Sequence, residues 1–320
     1  MTVTIILVSL LVIAFASGLF VIPYIVNLAH ELHLYDLPDS RKVHNPPIPR
    51  LGGITFIPIV ITTLAIIFAV MMYMNIDVEK LLSATVIQYL LAYLASALIL
   101  YGIGIYDDLH GVSYKVKFLI QIIAASLLCV SGLWITDLYS IPLTVLFIVY
   151  LTNAMNLIDG IDGLASGLSI ISLGVIAALN IISGHLVWAM LSITMLGVVL
   201  SFFYYNVLDK KHKIFMGDSG SLVLGYTLAF LIILLWNGNG DANGHKFGMI
   251  ALSTLVIPLF DVVRVIIIRI WNRRNPFLPD KNHIHHVLMR TGMKPSMVTA
   301  LLLGISLCFV TLSCVLAGFL

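Results

Sequence analysis

The chain has 320 residues, of which 60% are hydrophobic and only 10% are Asp, Glu, Lys or Arg, with a formal net charge of +2. Soluble domains carry about 25% charged residues, so this composition excludes an ordinary soluble globular domain, and no nucleic-acid partner is expected. Cys129, Cys308 and Cys314 fall in apolar stretches without a CxxC spacing and read as buried, unpaired thiols.

Apolar runs predict about ten transmembrane helices, at approximately residues 3–27, 52–73, 82–105, 114–133, 141–155, 163–182, 187–206, 218–236, 247–270 and 297–319. A helix needs about 20 residues to cross a bilayer. The first run is too long for a secretory signal and lacks its basic start. The fifth is short, so its polar end is expected in a wet recess rather than in lipid. The expected architecture is all-α, a polytopic integral membrane protein forming one domain over residues 1–320.

The loops between these spans differ in charge. Of the 17 Lys and Arg residues, only Lys80 and Lys246 fall on one side. Basic residues mark the cytoplasmic side, which puts the others in the cytoplasm and both termini outside. Most acids gather on the basic side too, among them Asp107, Asp108, Asp159, Asp162, Asp218 and Asp261, as do most histidines. An Asp at the centre of a membrane helix costs about 2.5–3.5 kcal/mol on insertion scales, so these groups need water, a cation or a partner. An active-site cleft, if there is one, is expected at the cytoplasmic membrane surface.

Five segments carry the polar residues of that face. "PDSRKVHNPPIPRLGG" joins the first two spans. Its prolines and glycines forbid a continuous helix, and Arg41, Lys42, His44 and Arg50 suit either lipid head groups or a bound phosphate. "YDDLHGVSYKVKF" puts Asp107 and Asp108 at a helix C-terminus and Lys115 and Lys117 at the start of the next helix, the wrong ends for these charges. A divalent metal on the acids and a phosphate on the lysines would remove both anomalies. "NAMNLIDGIDG" sets Asn153, Asn156, Asp159 and Asp162 at steps of three, which share a helix face, while Gly160 and Gly163 can loosen the helix and bring backbone close to a ligand. "KIFMGDSGSLVLG" places Asp218 at the start of the eighth span, as an N-cap or a ligand, with Phe215 as an anchor or a stacking surface for a base. "NPFLPDKNHIHHVLMRTG" holds His283, His285 and His286, whose Arg and Lys neighbours favour a phosphate over zinc. No HExxH, Walker loop, nucleophile elbow or dinucleotide fingerprint is present.

Taken in order, the Asp-Asp pair after the third span, NxxNxxDGxDG after the fifth, GDSGS before the eighth and HIHH after the ninth resemble the polyprenyl-phosphate N-acetylhexosamine-1-phosphate transferases, from about Asp36 to about Gly292. "RKVHNPPIPRLGG" and "PDKNHIHHVLMR" are similar to the branch that moves GlcNAc-1-phosphate from UDP-GlcNAc to undecaprenyl phosphate and so starts O-antigen, teichoic acid or other cell-surface polysaccharides. The phospho-N-acetylmuramoyl-pentapeptide branch usually carries a run of three histidines and a "TPTMGG" loop, which this chain lacks.

The resemblance implies a magnesium ion, replaceable by manganese, on Asp218 with Asn156 nearby. It implies Lys117 near the diphosphate, Phe215 on uracil, and His283, His285 and His286 in the phosphate or sugar loop. Asp159 and Asp162 take nucleotide or metal roles, and Asp107 and Asp108 stand as base, nucleophile or metal ligand. The implied partners are UDP-GlcNAc, undecaprenyl phosphate and membrane lipid, with a homodimer as a state to test. The implied location is the bacterial cytoplasmic membrane. Another UDP-HexNAc or UDP-MurNAc-pentapeptide is the alternative donor. A cation-coupled transporter, the other class, would carry its acids at the bilayer midplane.

Overall fold

The computed structural model describes residues 2–32, 34–36, 48–238, 243–273, 275 and 282–319. Arg41, Lys42 and His44, and residues 276–281 of the histidine segment, lie outside the described residues. The chain is helical nearly throughout: α1 (Thr2–Glu31), α2 (Phe56–Tyr73), α3 (Ala84–His110), α4 (Tyr114–Val130), α5 (Ile141–Ile158), α6 (Leu164–Ile182), α7 (Leu186–Phe203), α8 (Gly217–Asn237), α9 (Gly244–Ser253), α10 (Val256–Trp271), α11 (Ile284–Arg290) and α12 (Pro295–Leu316). Two short antiparallel strands, β1 (Tyr35–Asp36) and β2 (Ile48–Pro49), follow α1.

Among the described residues eight helices are long and apolar enough to cross a membrane, and there are nine spans when α9 and α10 are taken as one bent by 67°. The remaining expected span, the fourth, at residues 114–133, corresponds to α4, which has 17 residues and carries Lys115 and Lys117 in its first turn. The multi-pass all-α architecture therefore stands, with α4 falling short by length. Helix α8 is the axis of the bundle. Within its most apolar stretch 94% of residues are buried, against 22% in α3 and α12, whose outer faces are free to meet lipid.

The bundle tolerates its prolines because neighbouring helices satisfy the backbone they disrupt. A proline within a helix leaves the carbonyl four residues earlier without its donor. Pro23 lies inside α1, and the carbonyl of Leu19 accepts the Tyr205 hydroxyl at 2.8 Å instead. Pro258, near the start of α10, frees the carbonyl of Thr254, which accepts the Ser306 hydroxyl of α12 at 2.7 Å. The chain bends at this second site. In an apolar environment an orphan carbonyl costs several kcal/mol, roughly, so such side-chain substitutes are what permit a broken span. Polar pairs also tie α8 to its neighbours, for example Tyr93 Oη to Thr227 Oγ1 at 2.9 Å.

Candidate active site

The ends of α3, α4, α5 and α8 converge, and the charges that looked misplaced in sequence find one another there. The Asp108 carboxylate accepts the backbone N–H groups of Asp218 at 2.7 Å and Ser219 at 3.0 Å. An anion at the C-terminus of α3 is therefore also an anion at the N-terminus of α8, where orphan amides and the helix dipole favour it. Gly217 makes the approach possible. Its φ is +72°, and a Cβ there would stand 2.1 Å from the Arg50 carbonyl oxygen and 2.6 Å from Asp108 Oδ2. Only glycine meets both demands.

Lys117 answers the second anomaly. Its ammonium donates to Asp107 Oδ2 at 3.0 Å and to Asp218 Oδ2 at 2.7 Å. A cation at the N-terminus of α4 is thus held by two carboxylates from other helices. Asp107 also accepts the backbone N–H of Val112. Neither a metal nor a phosphate is needed to explain where these acids and this lysine sit. Lys115 is exposed and makes no ion pair with these acids among the described residues.

On α5, Asn156 donates to Ser221 Oγ of α8 at 2.8 Å and also reaches the Asp218 carboxylate. Asn153, one turn earlier, pairs with Gln121 of α4 and serves as a helix-to-helix link. The expected helical face continues only as far as Ile158, where α5 stops, so Asp159 and Asp162 lie in a loop. Asp159 is half-buried there. Burial and the charges of Asp218, Asp162 and Asp108 push its carboxyl up to about 7, with Arg50 opposing. Asp162 accepts Lys213 Nζ at 2.5 Å, and its carbonyl accepts the Thr299 hydroxyl at 3.0 Å.

The segment before α8 is laid against the segment before α2. Phe215 N–H donates to the Pro49 carbonyl at 2.8 Å, and Gly52 and Gly53 N–H groups return to the carbonyls of Phe215 at 2.9 Å and Met216 at 2.8 Å. Asn206 braces this arrangement from the π-helical turn that ends α7. It accepts the Gly163 N–H at 2.7 Å and donates to the Ile214 carbonyl at 3.0 Å. One buried amide so joins the loop of Asp159 and Asp162 to the loop of Phe215. Among the expected site residues Asn206 was missed; its one signal is an Asn closing a long apolar run.

Helix α11 carries the histidines to the same region. His283 Nδ1 lies 2.8 Å from Asp261 Oδ2, and the Ile284 N–H donates to Asp261 Oδ1 at 2.8 Å. Arg264 donates to Asp261 Oδ1 at 2.8 Å and to the Asn282 carbonyl. The sequence gives Asp261 no role of its own, because its partner histidine lies 22 residues later. His285 is buried against Gly160. A Cβ added at Gly160 would stand 2.2 Å from His285 Nε2. Burial, reinforced by the neighbouring His286 and His283 rings, pushes the His285 imidazole down to about 3. It is neutral near pH 7 and offers a hydrogen bond rather than a positive charge. His286 packs on it with ring centroids 4.2 Å apart.

Among the described residues no group of three or more His, Cys, Asp or Glu side chains forms a ready metal cage. Magnesium does not require one, since it keeps waters and is held by one or two carboxylates plus substrate phosphates. The donors present, carboxylate and amide oxygens around Asp218, are the hard type it takes.

Carboxylates, amides, a lysine and imidazoles held at the ends of apolar helices define a polytopic membrane protein with a polar site where its spans end. Comparison with known proteins gives the particular family. Glycosyl transferase family 4 matches residues 89–236, which hold Asp107, Asp108, Lys117, Asn156, Asp159, Asp162, Phe215 and Asp218. The chain is 36% identical over 300 residues to a probable undecaprenyl-phosphate N-acetylglucosaminyl 1-phosphate transferase of Bacillus subtilis, covering 89% of this chain and 78% of that protein. It is 29% and 30% identical to the undecaprenyl-phosphate alpha-N-acetylglucosaminyl 1-phosphate transferases of Yersinia pestis and Escherichia coli, in each case over 83% of this chain and 72% of the relative. The chain belongs to the polyprenyl-phosphate sugar-1-phosphate transferase family, in the undecaprenyl-phosphate N-acetylglucosaminyl 1-phosphate transferase branch.

Proposed function

We propose that the protein transfers GlcNAc-1-phosphate from UDP-GlcNAc to undecaprenyl phosphate, giving undecaprenyl-diphospho-GlcNAc and UMP, and so initiates a cell-surface polysaccharide. The observation that carries this most directly is the Asp107–Lys117–Asp218 cluster at the start of α8, in a chain whose relatives bear that activity in their names. A phosphate oxygen of the lipid attacks the β-phosphorus of the donor. The bond from that phosphorus to the bridging oxygen breaks, and UMP leaves with the electron pair. The sugar C1–O bond is untouched, so the anomeric configuration is retained.

Such transfer depends mainly on positioning and charge stabilisation. Asp107 takes the remaining proton of the lipid phosphate. Asp108 has both oxygens engaged by backbone amides and serves to hold α8 in place. Lys117 stabilises the diphosphate. Asp159 and Asp162 flank the nucleotide side with Phe215, and His283, His285 and His286 face the sugar and diphosphate. Asp218 and Asn156 would hold magnesium, with manganese as a substitute, which when bound neutralises developing charge on the diphosphate.

The site belongs on the cytoplasmic face of the bacterial inner membrane, because the loops on that side carry nearly all the Lys and Arg. A homodimer is also proposed. Every residue named in the site comes from one chain, so the chemistry does not depend on it. Purified protein given UDP-GlcNAc, undecaprenyl phosphate and magnesium should release UMP and form the lipid diphosphate sugar. Absence of both products in active-site-competent, folded protein would sink the proposal.

A further inference from the structure

A recess of about 230 Å³, distinct from the carboxylate cluster, is lined by His30, Tyr35, Ile48, Pro49, Lys210, Lys211 and Lys213. Its lining joins β1 and β2 to the ends of two candidate membrane spans, which close at Glu31 and Leu208. Tyr24, near the end of the first of these spans, and Tyr204, near the end of the second, are exposed, as tyrosines are at membrane interfaces. The recess is therefore set at the level where apolar helix gives way to water.

Its charges are unevenly matched. Lys213 is held by Asp162. Asp209, the nearest acid in sequence to the other two lysines, is engaged by His212 Nδ1 at 3.1 Å and by the backbone N–H groups of Lys211 and His212. Glu31 and Asp36 sit on the same elements but do not line the recess. Lys210 and Lys211 are exposed and form no ion pair among the described residues. His30 Nδ1 and the Tyr35 hydroxyl, 3.1 Å apart, add polar groups opposite them. Two ammonium groups without an ion pair among the described residues, and a hydroxyl lining the same cavity, suit a phosphate group.

We propose that this recess binds a phosphate group, supplied by the headgroup of an anionic bilayer lipid. Occupancy would be felt at the reaction centre. Pro49, which lines the recess, accepts the Phe215 N–H at 2.8 Å, and Lys213, which also lines it, holds Asp162. A free phosphate has the same chemistry, and the test separates the two sources by a readout that does not need the transferase activity.

The parent protein and a Lys210→Ala, Lys211→Ala double variant are placed in vesicles of phosphatidylcholine, with and without phosphatidylglycerol, and thermal unfolding is followed. In parallel both are titrated with inorganic phosphate in an uncharged detergent. Phosphatidylglycerol should raise the unfolding midpoint of the parent, and the double variant should lose that shift while matching the parent in phosphatidylcholine alone. A Lys210→Glu, Lys211→Glu variant should reverse its sign. A shift with inorganic phosphate that the double variant loses, without any effect of phosphatidylglycerol, would retain the phosphate site and overturn the lipid as its source. Equal responses to phosphatidylglycerol in the parent and both variants, with no phosphate effect, would overturn the proposal entirely.

Discussion

The Lys117 ammonium lies 2.7 Å from the Asp218 carboxylate, although the two residues are 101 positions apart in the chain. It occupies the place between Asp107 and Asp218 where two carboxylates would otherwise face each other unopposed. Replacing it should separate the two cations proposed for the site. Lys117→Met is expected to lower turnover on the order of 10²–10³-fold, the usual cost of losing one preorganised charge-stabilising group. Its magnesium requirement should not rise, because both acids are left free. Asp218→Asn should lose most turnover and need more magnesium. Activity measured against magnesium concentration distinguishes them, and wild-type turnover in Lys117→Met would remove the cluster from the reaction.

The adjacent acids should part company in the same way. Asp108→Asn keeps one carbonyl oxygen and loses one of two backbone acceptors at the start of α8. Loss of a helix cap costs about 0.5–2 kcal/mol, so a lower unfolding midpoint and reduced turnover are expected, with the shape of the pH–rate profile unchanged. Asp107→Asn should instead alter the limb that reports the base, and regain rate at high pH, where the lipid phosphate is already dianionic. The reverse pattern would exchange their roles.

Gly160 sets the distance between the Asp159 loop and α11. In Gly160→Ala the new methyl would stand 2.2 Å from His285 Nε2, against a rigid ring rather than a flexible chain end. Transfer should fall and KM for UDP-GlcNAc should rise. Adding His285→Ala should restore the unfolding midpoint by removing the clash, but not the rate. Full activity in Gly160→Ala would show that the seating of α11 is immaterial.

His285 also gives stability a definite pH dependence. Its ordinary value near 6.5 falls to about 3 in the folded protein. The unfolded chain therefore takes up a proton below about pH 6.5 that the folded chain refuses. The contribution is fully present above that pH and is lost as pH falls towards 3, by up to about 1.4 kcal/mol per pH unit. Unfolding midpoints at pH 7 and pH 5 should drop further in the parent than in His285→Asn. Equal drops would mean that His285 is not held neutral by burial.

Much of the site was legible because a polar residue in an apolar run has to be explained. Asp218, Asn156, Asp159 and Asp162 announce themselves in this way, and the structure brings them to one region with Asp107, Asp108 and Lys117. What they bond was not legible. Asp108 looked like an acid at the wrong end of a helix because its compensating amides lie 110 and 111 residues later. Asn206 and Asp261 act through long-range bonds to a loop carbonyl and to a histidine, which leave no local pattern. The span count differs at α4, whose apolar run reads as a full crossing although the helix has only 17 residues. The bend between α9 and α10 leaves the count unchanged but was equally illegible, because hydropathy runs smoothly through Thr254 and Leu255 and only the lost hydrogen bond at Pro258 reveals it.

The central claim concerns the group transferred, and a donor comparison tests it most directly. The purified protein is given undecaprenyl phosphate and magnesium with UDP-GlcNAc or with UDP-MurNAc-pentapeptide, and UMP and lipid product are both quantified. Helix α11 has only seven residues, a contact surface suited to a sugar and a diphosphate and small for a peptide. UDP-GlcNAc should give equal amounts of UMP and undecaprenyl-diphospho-GlcNAc, with little or no turnover of the pentapeptide donor. Faster transfer from UDP-MurNAc-pentapeptide would contradict the assignment of GlcNAc-1-phosphate as the group this site moves.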